Sequence, residues 1–459
     1  MKPYAMVLVA TCFSSLNVYG RSETTTPSIE EMWRILQAQQ EQIDALKAEN
    51  AELKAQQLSV LPVTILDEPV PQEREAAPNL EGESLGETSI TFSGHAMLDM
   101  GYQTKQSDPN WFDVLRPTKL PAFEDQYGDD GEFYSGVRQS RLGVSTHTPT
   151  TLGDLKTLIE FELFGVGADE GETTFRLRHA WGEIGQFGAG QYWSTFMDID
   201  VFPNSIEYWG PNAMVFYRNV QARWTPWTSD SGSRFAVALE RPGGSGDESR
   251  LDSIIDRENI KSDFEVPDLA AHYRHVGDWG HLQVAGILRQ IQWTDVGGDE
   301  IDLSGDATGW GVNLSTNLNI GRHVLRASLV HGEAIQNYMN DANADIGVVV
   351  SPDAAVPIGG EPIPLTGLVA FMDLNWSDKW TSTVGYSVQD NDLPRFSTPS
   401  SFQRGQYALA NLLYHPHPRV FFGPEVQWGK RENFNGFTSD DVRLQFSAKY
   451  SFSKTLSGF

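Results

Sequence analysis

Arginines recur in short alternating stretches of this chain: Arg138 and Arg141 in VRQSRLG, Arg176 and Arg178 in FRLRHAWG, Arg223 in VQARWTPW and Arg274 in AAHYRHVG. A guanidinium is planar, permanently charged and presents a fork of donors that matches a carboxylate. Arg176 and Arg178 alternate with Phe175 and Leu177, and Arg223 is opposite in phase to Trp224, so all three fall on the polar face of a strand. Arg326 and Arg443 share that phase in their own segments. Arg138 and Arg141 are three apart, so both take that face only if a bulge intervenes; Arg218 also fits the alternation poorly. Each arginine alone reads better as an ordinary lumen-wall or girdle residue. Collectively they suggest a path for small anions, and acids such as Glu160, Glu162 and Asp373 would keep an anion from staying bound.

A second group of charged residues lies in an unusual loop, STFMDIDVFPNSIEYWGPNAMVF, residues 194–216. It carries Asp198, Asp200 and Glu207 among Met197, Val201, Phe202, Tyr208 and Trp209. It is too apolar for a solvated tip. Its side chains need a surface, either the inner wall of the element that carries it or a neighbouring subunit.

Other chemistries find no support. Ser, His and Asp form no recognised catalytic motif, and no cofactor is expected. HPHPR at 415–419 sets two histidines two apart, separated by proline, which is a poor metal site. Cys12 is the only cysteine, so neither a disulfide framework nor a cysteine-based zinc site is available. A formal net charge of −27 argues against nucleic acid.

From residue 87 onward the hydrophobic period is two. In KWTSTVGYSVQ, Trp380, Val384, Tyr386 and Val388 oppose Thr381, Thr383, Ser387 and Gln389. GWGVNLSTNLN, LKTLIEFELF and DVRLQFSAKYSF repeat the pattern. Such segments run about ten residues, the length a tilted strand needs to cross a bilayer. About sixteen of them follow one another, which predicts an all-β, sixteen-stranded antiparallel transmembrane barrel. Their connections alternate between short turns (TPTTLG, GDW, NIGR, WSDK) and long, often acidic loops such as 105–132, 194–215, 242–265 and 335–363. Loops sorted by length in this way mark an outer-membrane barrel. A barrel this wide keeps a water-filled lumen, so the 194–216 loop is expected to fold inward and constrict it.

The first 86 residues are different in kind. Residues 1–20 read as a secretory signal peptide, with Lys2, an apolar run and a small-residue cleavage site. Residues 21–58 hold a heptad repeat, with Ile29, Leu36, Ile43 and Asn50 at a and Met32, Leu46 and Leu53 at d, which predicts a self-associating periplasmic coiled coil. Residues 59–86 form a Pro- and Glu-rich linker to the barrel at 87–459. The last strand, ending KYSFSKTLSGF, closes the barrel, and Phe452 or Phe459 resembles the signal read by the barrel-assembly machinery.

The stretch GPEVQWGKRENFNGFTSDDVRLQFSAKYSF resembles the C-terminal end of the DcaP-like outer-membrane porins. FRLRHAWGEIGQFGAGQYWSTFMD is similar to the region before that family's constriction loop, and the N-terminal coiled coil and linker fit as well. The resemblance implies a homotrimer of sixteen-stranded barrels in the Gram-negative outer membrane, among lipid and lipopolysaccharide, admitting small anionic solutes including dicarboxylic acids. It places Arg176 and Arg178 in an arginine-bearing wall, Asp198 and Asp200 in the constriction loop, and the family's usual strand end near Phe452. Three readings stay open: an anion-preferring porin, a general porin whose arginines only balance acids, and a barrel-anchored tether or adhesin.

Overall fold

The computed structural model describes residues 86–247, 249–251, 259–297, 302–351 and 358–458. The signal peptide and coiled coil, all but the last residue of the linker, and Phe459 lie outside the described residues.

Period-two alternation becomes a single closed antiparallel sheet. We number its strands β1 (Ser89–Gln103), β2 (Glu132–Gly136 and Arg141–Thr148), β3 (Leu155–Phe164), β4 (Thr173–Ile184) and β5 (Phe187–Trp193). Then come β6 (Arg218–Thr228), β7 (Arg234–Glu240), β8 (Asp268–Gly277), β9 (Gly280–Asp295), β10 (Gly305–Ile320) and β11 (His323–Glu333). The wall is completed by β12 (Pro364–Asn375), β13 (Trp380–Asn391), β14 (Phe402–Asn411 and Leu413–His417), β15 (Val420–Asn433) and β16 (Thr438–Ser457). Two of the sixteen are broken in the middle; the short strand Ile260–Ser262 only extends one hairpin, and a separate hairpin pairs Ile346–Val350 with Ile358–Pro362. β1 and β16 close the barrel along their lengths, from Ser89 opposite Ser457 to Gln103 opposite Arg443.

The two faces separate as the alternation requires. Leu444 and Phe446 on β16 face outward, while Arg443, Gln445 and Ser447 are buried inside. On β13, Trp380, Val384 and Tyr386 are outward and Thr383, Ser387 and Gln389 inward. The barrel is built from consecutive hairpins: turns after even strands are tight, as at Gly185 and Gly321, whose positive φ suits glycine. Loops after odd strands are long, except the last, Phe434–Phe437 between β15 and β16. Among the described residues no helix is long and apolar enough to cross a membrane; the strands cross it.

One boundary differs from expectation. β16 does not stop near Phe452 but runs to Ser457, because β1 begins early enough to pair with it, Ile90 opposite Leu456.

The inner wall is not uniformly polar. On β8 to β14, Ala270, Ala285, Ile287, Val330, Leu365, Val369, Phe371, Tyr407 and Leu409 are buried and form one cluster with Phe196, Met197, Val201, Met214 and Val215 of the loop between β5 and β6. The apolar residues of that loop therefore find their surface inside the barrel. Burying such side chains is worth roughly 1.5–3 kcal/mol each.

Candidate functional site

The β5–β6 loop lines the inner wall strand by strand. Near its start, Asp198 accepts from Arg274 Nη1 on β8 at 3.1 Å, from Ser315 on β10 at 2.8 Å, and lies 2.7 Å from His281 Nε2 on β9. Burial opposes its charge, but the hydrogen bond and charge of His281, then the charge of Arg274, outweigh burial and hold the carboxyl down at about 2. Asp200 also pairs with Arg274, and its carbonyl accepts from Arg326 on β11. Further along, the Asn204 N–H donates to Asp373 at 3.2 Å and the Ile206 N–H to Glu425 at 3.0 Å, and the Ile206 carbonyl accepts from Gln139 at 2.8 Å. Glu207 is buried and accepts from the backbone N–H of Leu115, in the β1–β2 loop, and of Gly210. Tyr208 donates to Glu162 on β3 at 2.5 Å and stacks on Phe164 at 3.9 Å. Trp209 donates to the Asn340 carbonyl in the β11–β12 loop at 2.7 Å.

Where Tyr208 arrives, the arginines gather. Glu162 lies 2.5 Å from Arg178, 3.5 Å from Arg141, 3.6 Å from Arg176 and 3.7 Å from Arg218. Glu160 adds a second carboxylate, 2.7 Å from Arg178 and 3.6 Å from Arg141. Four guanidinium groups thus share two carboxylates. Arg178 and Arg218 also lie over Trp193, at 5.4 and 5.3 Å. The side chains of Arg141 (28% exposed) and Arg176 (27%) reach open space, whereas Arg178 is spent on holding the two acids. Arg176 and Arg218 line a cavity of about 550 Å³ together with Trp111, Arg116, Tyr208, Trp209 and Asn340. Nη1 of Arg218 has no hydrogen-bond partner there.

A bulge in β4 makes this possible. Glu160 pairs with His179 and Phe161 with Leu177, so Arg178 is the extra residue. It reverses the phase of the strand and turns both Arg178 and His179 inward. Farther along, Trp181 lies against Gly188, where a Cβ would sit 2.1 Å from the indole, and Arg223 lies over Trp181 at 5.3 Å and Tyr192 at 5.6 Å. Arg223 donates to the Trp193 carbonyl and to Gln221.

The expected set is therefore divided. Arg141, Arg176 and Arg178 are together; Arg223 is nearby. Arg138 departs from a pore-lining role: it is 1% exposed, because the break in β2 lets it turn into the loops. There it pairs with Asp113 at 2.5 Å, donates to the Gly165 and Glu172 carbonyls, and stacks on Phe164 at 3.9 Å. Arg274 is neutralised by Asp198 and Asp200, which sit against β8 to β11 rather than beside Arg176 and Arg178. Arg218 and Arg116 are the residues that phase and spacing missed. Arg218 lies at a strand end where alternation fails. Arg116 is in a loop, held between Trp111 and Trp209 at 4.2 and 4.0 Å and paired with Asp341 at 2.9 Å. Among the described residues no cluster of His, Cys, Asp and Glu suits a metal ion.

A closed sixteen-strand barrel with long loops tucked inside and a charged lumen wall defines a channel of the outer-membrane porin class. A family model described as the DcaP outer membrane protein matches residues 82–345, and the chain belongs to that family. Its structure is similar to the outer membrane channel DcaP of Acinetobacter baumannii, with a TM-score of 0.67 at 20% identity over 80% of this chain and 97% of that one. It is also similar to the anion-selective porin from Comamonas acidovorans, with a TM-score of 0.52 at 12% identity over 80% of this chain and 100% of that one. At such identities these likenesses speak for the fold alone. A sequence search of curated proteins finds no match. Family and fold point to a channel rather than an enzyme, in the outer membrane.

Proposed function

We propose that the protein is a passive diffusion channel for small hydrophilic anions, dicarboxylates among them. The observation that carries this is the convergence of Arg141, Arg176, Arg178 and Arg218 on Glu160 and Glu162, which leaves a positive surplus beside a cavity of about 550 Å³. A lumen with low-dielectric walls and one sign of excess charge concentrates the opposite ion. A guanidinium fork pairs with a carboxylate on two hydrogen bonds, and the two acids compete for the same forks, which lets the solute leave.

The test is the reversal potential of the purified channel in a potassium chloride gradient. Anion preference that falls when Arg176 and Arg218 are both replaced by Gln supports the reading. A reversal potential near zero in wild type favours a general porin, the second reading, which the full pairing of Arg274 with Asp198 and Asp200 supports. A lumen that conducts nothing would favour the tether or adhesin.

The same reading includes a homotrimer joined through residues 29–57, seated among outer-membrane lipid and lipopolysaccharide after delivery to the barrel-assembly machinery by its last strand. A native mass of three chains that falls when residues 29–57 are deleted supports it; a single-chain mass for the intact protein overturns it.

A further inference from the structure

The arginine cluster does not end at Arg141. β2 is flanked by β1, and β1 by the closing strand β16, so Arg141 opposite His95 and Lys449 opposite Met97 lie on the same inner wall, two strands apart. Both side chains are long and share that wall across β1. Lys449 is only partly exposed and makes no ion pair among the described residues; its ammonium lies 5.6 Å from the centre of the Phe421 ring. Phe421, Met97 and Ile206 form one apolar contact, which puts Lys449 beside the point where the inward loop meets the wall. His95 uses its Nε2–H on the Gln139 carbonyl at 2.9 Å.

An unpaired ammonium inside a protein normally gains a partner. Other buried cations have oxygen partners: Asp113 for Arg138, Asp268 and Asp345 for Arg289, and amide or carbonyl oxygens for Arg443 and Arg431. At Lys449 none is supplied. We propose that Lys449 and Arg141 form a second anion contact on the seam between β16 and β2, separated by Glu160 and Glu162 from the contact at Arg176 and Arg218. This rests on the anion-channel reading above and extends it: an anion leaves one pair of cations for the next across a pair of fixed carboxylates. Divided in this way, binding stays strong enough to draw a dianion in and weak enough to release it.

The experiment replaces Lys449 by Gln and, as the conservative control, by Arg, in the full-length protein. Folding is checked by the mobility shift between unboiled and boiled samples in SDS. Permeabilities of acetate and succinate relative to potassium are then taken from reversal potentials at low salt. Averaged over solute positions about 10 Å from the ammonium, in a water-like dielectric, the lost charge lowers a monoanion's local concentration about twofold. The energy scales with solute charge, so the dianion should fall about fourfold. Lys449→Arg should keep both values. If acetate and succinate fall by equal factors, or neither changes while wild type stays anion-selective, Lys449 is a structural wall residue and the second contact is wrong. A wild-type channel without anion preference overturns the underlying reading instead. Should Lys449→Gln not fold, Lys449→Met is measured against the same two solutes and judged by the same ratio.

Discussion

Tyr208 of the inward loop donates its hydroxyl to Glu162 of β3 at 2.5 Å, so the carboxylate that gathers four arginines is also the loop's mooring. Loop position and wall charge are therefore one structure. Tyr208→Phe keeps the stack on Phe164 but removes the hydroxyl. The expected cost is about 1.5–3 kcal/mol of stability, that of a hydrogen bond to a charged group. The more specific outcome is greater open-channel current noise, because the loop loses its tie at this end while its anchors at Asp198 and Ile206 remain. Noise equal to wild type would show that the Phe164 stack alone holds the loop.

Glu162→Gln makes the opposite change. Arg141, Arg176, Arg178 and Arg218 then face only Glu160 and one another. Anion permeability relative to potassium should rise, and anions should dwell longer. Raising the salt to about 1 M, where the Debye length is about 3 Å, should erase most of the difference. Removing one partner of a buried pair commonly costs about 3–5 kcal/mol, so the folded species should also unfold at lower temperature in SDS. Unchanged reversal potentials at low salt would mean that the cluster is closed to solutes.

Glu207 gives a dependence on pH. It is fully enclosed between the β1–β2 and β5–β6 loops, and burial pushes its carboxyl up to about 8 against the backbone N–H bonds from Gly210, Trp209 and Leu115. A folded value above the unfolded one means that its contribution is complete below about 4.5 and is lost as pH rises through about 8. Current noise should therefore grow between pH 6 and pH 9, and Glu207→Gln should flatten that rise. Asp198 behaves in the opposite sense: held down at about 2, it contributes fully above its unfolded value near 3.8 and weakens only in strong acid.

Much of the barrel was legible because one local rule, alternation, decides which face of every strand meets water or lipid. Arg176 followed from it directly, and Arg178 also faces inward, though as the bulged residue of β4. The rule fails wherever the backbone leaves the regular ladder. The break in β2 sends Arg138 into the loops, and Arg218, at the very start of β6, turns into the cavity. His281 and Ser315, the partners of Asp198, lie more than eighty residues away in the chain, so only closure of the sheet brings them together. Apolar residues such as Val330 and Phe371 occupy the nominally polar face because the loop packs on them. The unpaired state of Lys449 is a property of its surroundings, and no spacing in its own segment marks it.

Arg289 on β9 holds the long loops together from inside the wall. It pairs with Asp268 of β8 at 3.1 Å and with Asp345 of the β11–β12 loop at 2.8 Å, and it donates to the carbonyls of Ala334 and Gly243. Asp345 in turn accepts from Ser245 at 3.1 Å and Asn337 at 3.1 Å, so one guanidinium ties the β7–β8 loop to the β11–β12 loop. Arg289→Met keeps an unbranched apolar stem but leaves Asp268 and Asp345 without their cation, a change of about 3–5 kcal/mol for buried partners. The strands are held by their own ladder, so the heat-dependent mobility shift in SDS should persist. The two loops should instead become sensitive to added protease, with first cleavages in 241–267 and 334–363. If the variant resists protease as wild type does, or if the barrel and the loops fail together, Arg289 is not a local clasp.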